Sequence, residues 1–130
     1  MEIKDILIET ESIAVVGCSS DKTKPANLVP AYLIENGYNI IPINPSGKEI
    51  FGKKALPSLS ELKEKVDMVL VFRPSEETPL IAKETIKVGA KFLWLQDGIS
   101  NEEAKEIAEK KRIVCVMNKC IMKEHMEIFG

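Results

Sequence analysis

The sequence predicts an α/β protein in which a five-stranded parallel sheet lies between two helical layers. Short, continuously apolar runs alternate with stretches of helical periodicity from one end of the chain to the other. Several of those runs lack the polar alternation of a half-exposed strand, which is how strands buried on both faces read. No linker, repeat or low-complexity stretch interrupts the alternation, so residues 1–130 read as a single domain. With right-handed crossovers this is a Rossmann-like three-layer sandwich.

Taken in order, Ile3, Ile6 and Leu7 share a helical face. Ile13–Val16 is the first strand. Val29, Tyr32 and Leu33 mark the next helix, stopped by Gly37. Asn39–Ile43 is the second strand. Asn44 to Pro57, rich in Gly, Pro and Lys, is the longest irregular piece and a candidate binding loop. Leu59, Leu62 and Val66 predict a third helix, opened by a Ser58–Glu61 capping box. Met68–Phe72 is the third strand. Ile81, Ala82 and Ile86 predict a helix ending at Gly89, and Phe92–Leu95 is the fourth strand. Ala104, Ile107 and Ala108 follow a Ser100–Glu103 capping box, and Ile113–Val116 is the last strand. Met122, Met126 and Phe129 form the final apolar stripe, for a total of six helices.

Composition narrows the function. Net charge is −2 without a block of one sign, which argues against a nucleic-acid footprint. No apolar run approaches the ~18 residues of a membrane span. The N-terminus carries acidic residues and no long apolar stretch, so a cytoplasmic location is the default expectation. Three cysteines (Cys18, Cys115, Cys120) and one histidine (His125) supply neither a disulfide framework nor a metal set at normal spacing.

In such sheets ligands bind beyond the carboxyl ends of the strands, where the winding reverses. The first strand ends in Gly17-Cys18-Ser19-Ser20, followed by Asp21, Lys22, Thr23 and Lys24. A strand, a small-residue turn and a helix start together make an anion site. The remaining strand ends supply Pro42, Asn44 and Pro45, then Arg73, Pro74 and Ser75, then Gln96, Asp97, Gly98 and Ile99, then Asn118, Lys119 and Cys120. Singly, Gly17 serves a tight turn, Ser19 and Ser20 cap a helix, and Lys24 and Arg73 are solvated charges. In combination they suit a large polar ligand with phosphates. The dinucleotide fingerprint fails in both halves: only Gly17 of Gly-x-Gly-x-x-Gly is present, and no carboxylate follows the second strand. A ribose phosphate is not repelled there, and Lys48, Lys53 and Lys54 lie just beyond.

These strand ends together resemble the single-domain CoA-binding proteins, relatives of the CoA-binding domain of the succinyl-CoA synthetase α subunit. The likeness runs from about Ile13 to His125. It is carried by Ile13–Ser19, Tyr32-Leu33 with Gly37-Tyr38, Ile41–Pro45, Val69–Glu76, Trp94–Gly98, and Asn118–Ile121 with Glu124-His125. Lys24 stands where the family usually has Arg, and Pro25-Ala26-Asn27-Leu28 replaces a more common Pro-Ser-His-Gly. The resemblance implies coenzyme A as the ligand, with Gly17, Ser19, Ser20 and Lys24 by the pyrophosphate. It implies Asn44 and Pro45 flanking the nucleotide, and Phe72, Arg73 and Pro74 lining its adenine or ribose side. Gln96, Gly98 and Ile99 would face the pantetheine arm.

The expected role is a module that binds coenzyme A or an acyl-CoA, as a monomer or small homo-oligomer, with no nucleic-acid or membrane partner. No catalytic residue is assigned: Asp97 is a lone acid and His125 lies outside the site loops. Two alternatives stay open. One is an NAD(P)- or other nucleotide-dependent enzyme. The other is a redox-active protein in which Cys18, near a helix N-terminus, forms a mixed disulfide with the CoA thiol. A protein-interaction domain with a vestigial site is the blandest reading.

Overall fold

The structure, a computed structural model, describes residues 1–130. The elements in chain order are α1 (Ile3–Glu9), β1 (Ser12–Val16), α2 (Pro25–Glu35), β2 (Asn39–Ile43), β3 (Glu49–Ile50), β4 (Lys53–Lys54), β5 (Met68–Val71), α3 (Thr78–Val88), β6 (Phe92–Leu95), α4 (Glu102–Lys110), β7 (Val114–Val116) and α5 (Ile121–Phe129). β1, β2, β5, β6 and β7 form one parallel sheet in the order β2-β1-β5-β6-β7. The winding therefore reverses between β1 and β5, where Ile13 pairs with Met68 and Val16 with Val71.

The two faces of the sheet divide the core. Ile13, Val15, Met68, Leu70 and Trp94 point to one side, against Ile6 and Leu7 of α1, Val29 and Leu33 of α2 and Ile121 of α5. Ala14, Val69, Val71, Leu93 and Leu95 point to the other, against Ile81 and Ala82 of α3 and Ala104 and Ala108 of α4. Alternate residues of each strand feed opposite cores, so the central strands read as unbroken apolar runs.

Five local expectations are corrected. The helix predicted over Leu59, Leu62 and Val66 is a single 3₁₀ turn, Leu59–Glu61, leaving five α-helices. Leu59 and Val66 are buried, but Glu61, Lys63, Glu64 and Lys65 are exposed. The Ser58 hydroxyl meets Ser60 Oγ at 2.7 Å and caps nothing. Helix α4 is capped by Asn101, whose Oδ1 accepts from Ala104 N at 3.0 Å, and not by Ser100.

The irregular loop after β2 contains a β3–β4 hairpin whose two turn residues, Phe51 and Gly52, both have positive φ (55° and 75°). That is the geometry of a tight two-residue turn, with Phe where Asn or Asp is usual. Buried Ile50 and Ala55 pin the hairpin to the core beside α2. In α5 the buried face is Ile121 and His125, while Met126 and Phe129 remain 45% and 47% exposed. His125 is drawn inward by the Tyr32 hydroxyl, 2.7 Å from its Nδ1, and by ring contacts with Tyr38 and Phe129. Burial lowers its pKa.

Candidate functional site

The loop after β1 bends at Gly17 (φ +86°) and is fastened at three points. The amides of Gly17 and Cys18 both donate to the Ile43 carbonyl at the end of β2, at 3.0 and 3.3 Å. The Ser19 amide donates to the Ala26 carbonyl at 3.1 Å. Pro30 explains that last bond: in an α-helix the N–H of residue 30 would claim Ala26 O, and proline has none. The buried Asn27 side chain donates to Ser19 O at 2.7 Å, and Asn44 Nδ2 donates to Cys18 O at 2.7 Å. Asn44 thus welds the β1 and β2 loops together.

The unspent amides therefore lie further along the loop than the small-residue turn suggests. The amides of Gly17, Cys18 and Ser19 are spent on protein carbonyls. Those of Ser20, Lys22 and Ala26 donate to no protein group, and the last opens helix α2. Lys22 and Lys24 are exposed beside them. Asp21 is held by Thr23, whose hydroxyl and amide donate to its Oδ1 at 2.7 and 2.9 Å, and these bonds lower its pKa.

Cys18 is withdrawn from the rim. Its side chain is fully buried in the core on the α2 side, and burial pushes its pKa up to about 12. The helix-terminus effect expected from sequence loses to desolvation. Lys53 is also withdrawn: its Nζ donates to Asn39 Oδ1 and Ile40 O, both at 2.9 Å, at the opposite end of β2 from the loops. Pro42 is buried within β2 opposite Val15, and its carbonyl accepts from Leu56 N at 3.0 Å. It borders the hairpin edge of the sheet along with Lys53 and Lys54.

The other strand ends border two cavities. The first, of about 430 Å³, is walled by Gly17, Pro45, Ser58, Arg73 and Leu80. Arg73 grips Glu77 through Nε and Nη2, at 3.0 and 2.8 Å. That pairing raises the Arg73 pKa and lowers that of Glu77. Glu76 and Glu84 also line it, so carboxylates outnumber cations around this cavity. Pro74, at the start of the turn that leads into α3, lies outside both cavities.

The second cavity, of about 340 Å³, is walled by Leu28 and Val29 of α2, Phe72, Gln96, Ile99 and Met122 of α5. Gln96 is 4% exposed, and its Oε1 accepts from Ile121 N at 2.8 Å. Gly98 N donates to Asn118 Oδ1 at 2.7 Å, which ties the β6 and β7 loops. A third hollow of about 540 Å³ lies between Ser20, Lys22 and the hairpin residue Phe51.

Sequence reasoning missed the contributions of Leu28, Val29, Met122, Leu80 and Phe51. The first four lie early in helices that start at the ligand-bearing rim, a signal that was available. Phe51 gave none. Trp94, one residue from the carboxyl end of β6, is fully buried, and its Nε1 donates to Lys119 O of the β7 loop at 2.8 Å. No three His, Cys, Asp or Glu side chains converge as a metal site. No helix is long and apolar enough to cross a membrane.

The family described as CoA binding domain matches residues 11–126. The uncharacterized protein YneT of Bacillus subtilis is 40% identical over 95% of this chain and 92% of its own length. An ADP-forming acetate–CoA ligase of Archaeoglobus fulgidus is 30% identical over 95% of this chain, which spans only 18% of that enzyme. A solved structure from Thermus thermophilus, cell-free ID.343, superposes with a TM-score of 0.93 at 36% identity, covering 99% of this chain and 100% of that one.

Proposed function

The chain belongs to the CoA binding domain family, and from that premise we propose that it binds coenzyme A or an acyl-CoA at the rim where β1 and β5 part. The reading is carried by the unspent amides of Ser20, Lys22 and Ala26 at the start of α2, flanked by Lys22 and Lys24. They offer donors and positive charge to a pyrophosphate. The cavity beside Pro45 and Arg73 takes the adenine, with Pro74 and Asn44 at its margins. The cavity beside Phe72, Gln96 and Ile99 takes the pantetheine arm, with Gly98 in the loop above. In this assignment Gly17, Cys18 and Ser19 shape the loop and do not touch the phosphates.

We assign the chain a binding or regulatory role rather than a reaction of its own. An NAD-type ligand is disfavoured because Asn44, not a carboxylate, follows β2 and is engaged by Cys18 O and Ser46 N. Calorimetric titration with CoA, NAD and NADP, backed by native mass spectrometry of fresh protein, tests the proposal. CoA should saturate one site while the dinucleotides bind at least about tenfold more weakly. Equal binding of all three, or none of CoA, overturns it.

A further inference from the structure

The cavity between α2 and α5 contains one polar group that the protein leaves unanswered. Gln96 is 4% exposed, and the backbone N–H of Ile121 fixes which end of its amide is which. An N–H only donates, so the atom it meets at 2.8 Å is the amide oxygen. The Nε2 group is the other end, and its two hydrogens have no acceptor in the protein. No side-chain nitrogen or oxygen sealed from solvent lacks a partner. The unpaired Nε2 therefore faces accessible space, and the accessible space beside Gln96 is this cavity. Around it the walls are Leu28, Val29, Phe72, Ile99 and Met122, with Asp97 and Lys123 as the charged residues.

Among its side chains the unpaired donor is Gln96 Nε2, and the one carboxylate is that of Asp97. Gln96 Oε1 is already committed to Ile121, and the Asp97 carboxylate belongs to an exposed residue. An amide group entering it would satisfy Nε2 with its carbonyl but strand its own N–H, which is costly in an apolar setting. A thioester carbonyl accepts a hydrogen bond and carries no donor. At about 30 Å³ per small group, 340 Å³ holds roughly ten non-hydrogen atoms, enough for the thioethyl end of the arm beyond its last amide and a short acyl chain.

Building on the CoA reading, we propose that Gln96 is the residue that recognises the thioester carbonyl. The ligand class is then the CoA thioester of a short, apolar acid, in preference to free CoA.

The test compares CoA, butanoyl-CoA and the carbonyl-free thioether S-butyl-CoA by calorimetry. The wild type should bind the thioester about fivefold more tightly than the thioether of equal length, the value of one modest hydrogen bond. Gln96→Glu, at about pH 8, keeps an oxygen for Ile121 N–H and replaces the donor with an acceptor. It should erase the preference while still binding the thioether. Gln96→Met, neutral and without a donor, should do the same. Equal affinity of thioester and thioether for the wild type overturns the inference, as does a variant that weakens both alike, since that places Gln96 on an amide of the arm. In either case CoA still binds, whereas failure of all three ligands would refute the CoA reading itself.

Discussion

Gly17 and Phe72 cross so closely that a Cβ on residue 17 would lie 2.9 Å from the Phe72 carbonyl oxygen and 3.0 Å from Arg73 Cδ. This is the point where β1 and β5 end side by side and the winding of the sheet reverses. The backbone there also has φ +86°. Two separate requirements, conformation and space, thus demand glycine at one position.

Gly17→Ala should cost about 2–4 kcal/mol, combining left-handed strain with overpacking against backbone that cannot move aside. Gly98→Ala is the control. Its φ is +83°, but nothing lies within 4 Å of the added carbon, so it should cost about 1 kcal/mol. Urea denaturation of both proteins checks the difference; equal losses would mean that the Phe72 contact is not decisive.

Thiol labelling should discriminate among the cysteines. Cys18 is fully buried with its pKa near 12, and Cys115 is raised to about 11, whereas Cys120 is half-buried at the wall of the α2–α5 cavity. In native protein at about pH 8, Cys120 should react first and Cys18 only on unfolding. Peptide mapping after timed alkylation measures the order, and prompt modification of Cys18 would refute its place in the core.

His125 should make stability fall with acid. Its folded pKa lies below the ordinary 6.5 because burial disfavours the imidazolium. Below about pH 6.5 the unfolded chain takes up a proton that the folded chain resists, so stability is lost as pH drops towards the folded pKa. Urea midpoints between about pH 7 and pH 5 should decline in the wild type and flatten in His125→Gln. An unchanged slope in the variant would assign the effect to other groups.

Two lysines of similar sequence appeal should behave differently. Lys24→Ala, at the start of α2, should weaken CoA about threefold to tenfold, with a shallower dependence on salt. Lys53→Ala should leave CoA affinity alone, because its ammonium is bound to Asn39 and Ile40 at the far end of β2. The titrations that test CoA binding settle both, and a comparable loss in Lys53→Ala would contradict the geometry.

Asn101→Ala should destabilise the fold by about 1–2 kcal/mol. The side chain caps α4 through Ala104 N and also donates to Ser75 O at 3.1 Å, which ties the β6 loop to the start of α3. Ser100→Ala should be close to neutral in the same denaturation series.

The strands were legible because burial on two faces leaves a mark that needs no knowledge of neighbours: Val69-Leu70-Val71 and Leu93-Trp94-Leu95 are apolar throughout. Likewise Gly89, with φ +75°, ends α3 where its sequence position indicates. The segment after Ser58 misled because its spacing is helical although the chain makes a single 3₁₀ turn there. The hairpin at Phe51 was illegible because Phe stands where Asn or Asp usually precedes the turn glycine, and the buried Ile50 and Ala55 hold the hairpin in place.

By itself the sequence determined the parallel sheet, the rim that bears the loops, and the family, since these follow from local pattern and from motifs in order. Only the tertiary structure decided which groups at that rim are free. Hydrogen bonds are exclusive: Ile43 O takes two amides, Ala26 O takes Ser19 because Pro30 cannot claim it, and Ile121 N takes one end of Gln96. What remains for a ligand is the remainder after that pairing, and pairing between residues 25 or more positions apart is set by folding in three dimensions, not by neighbours along the chain.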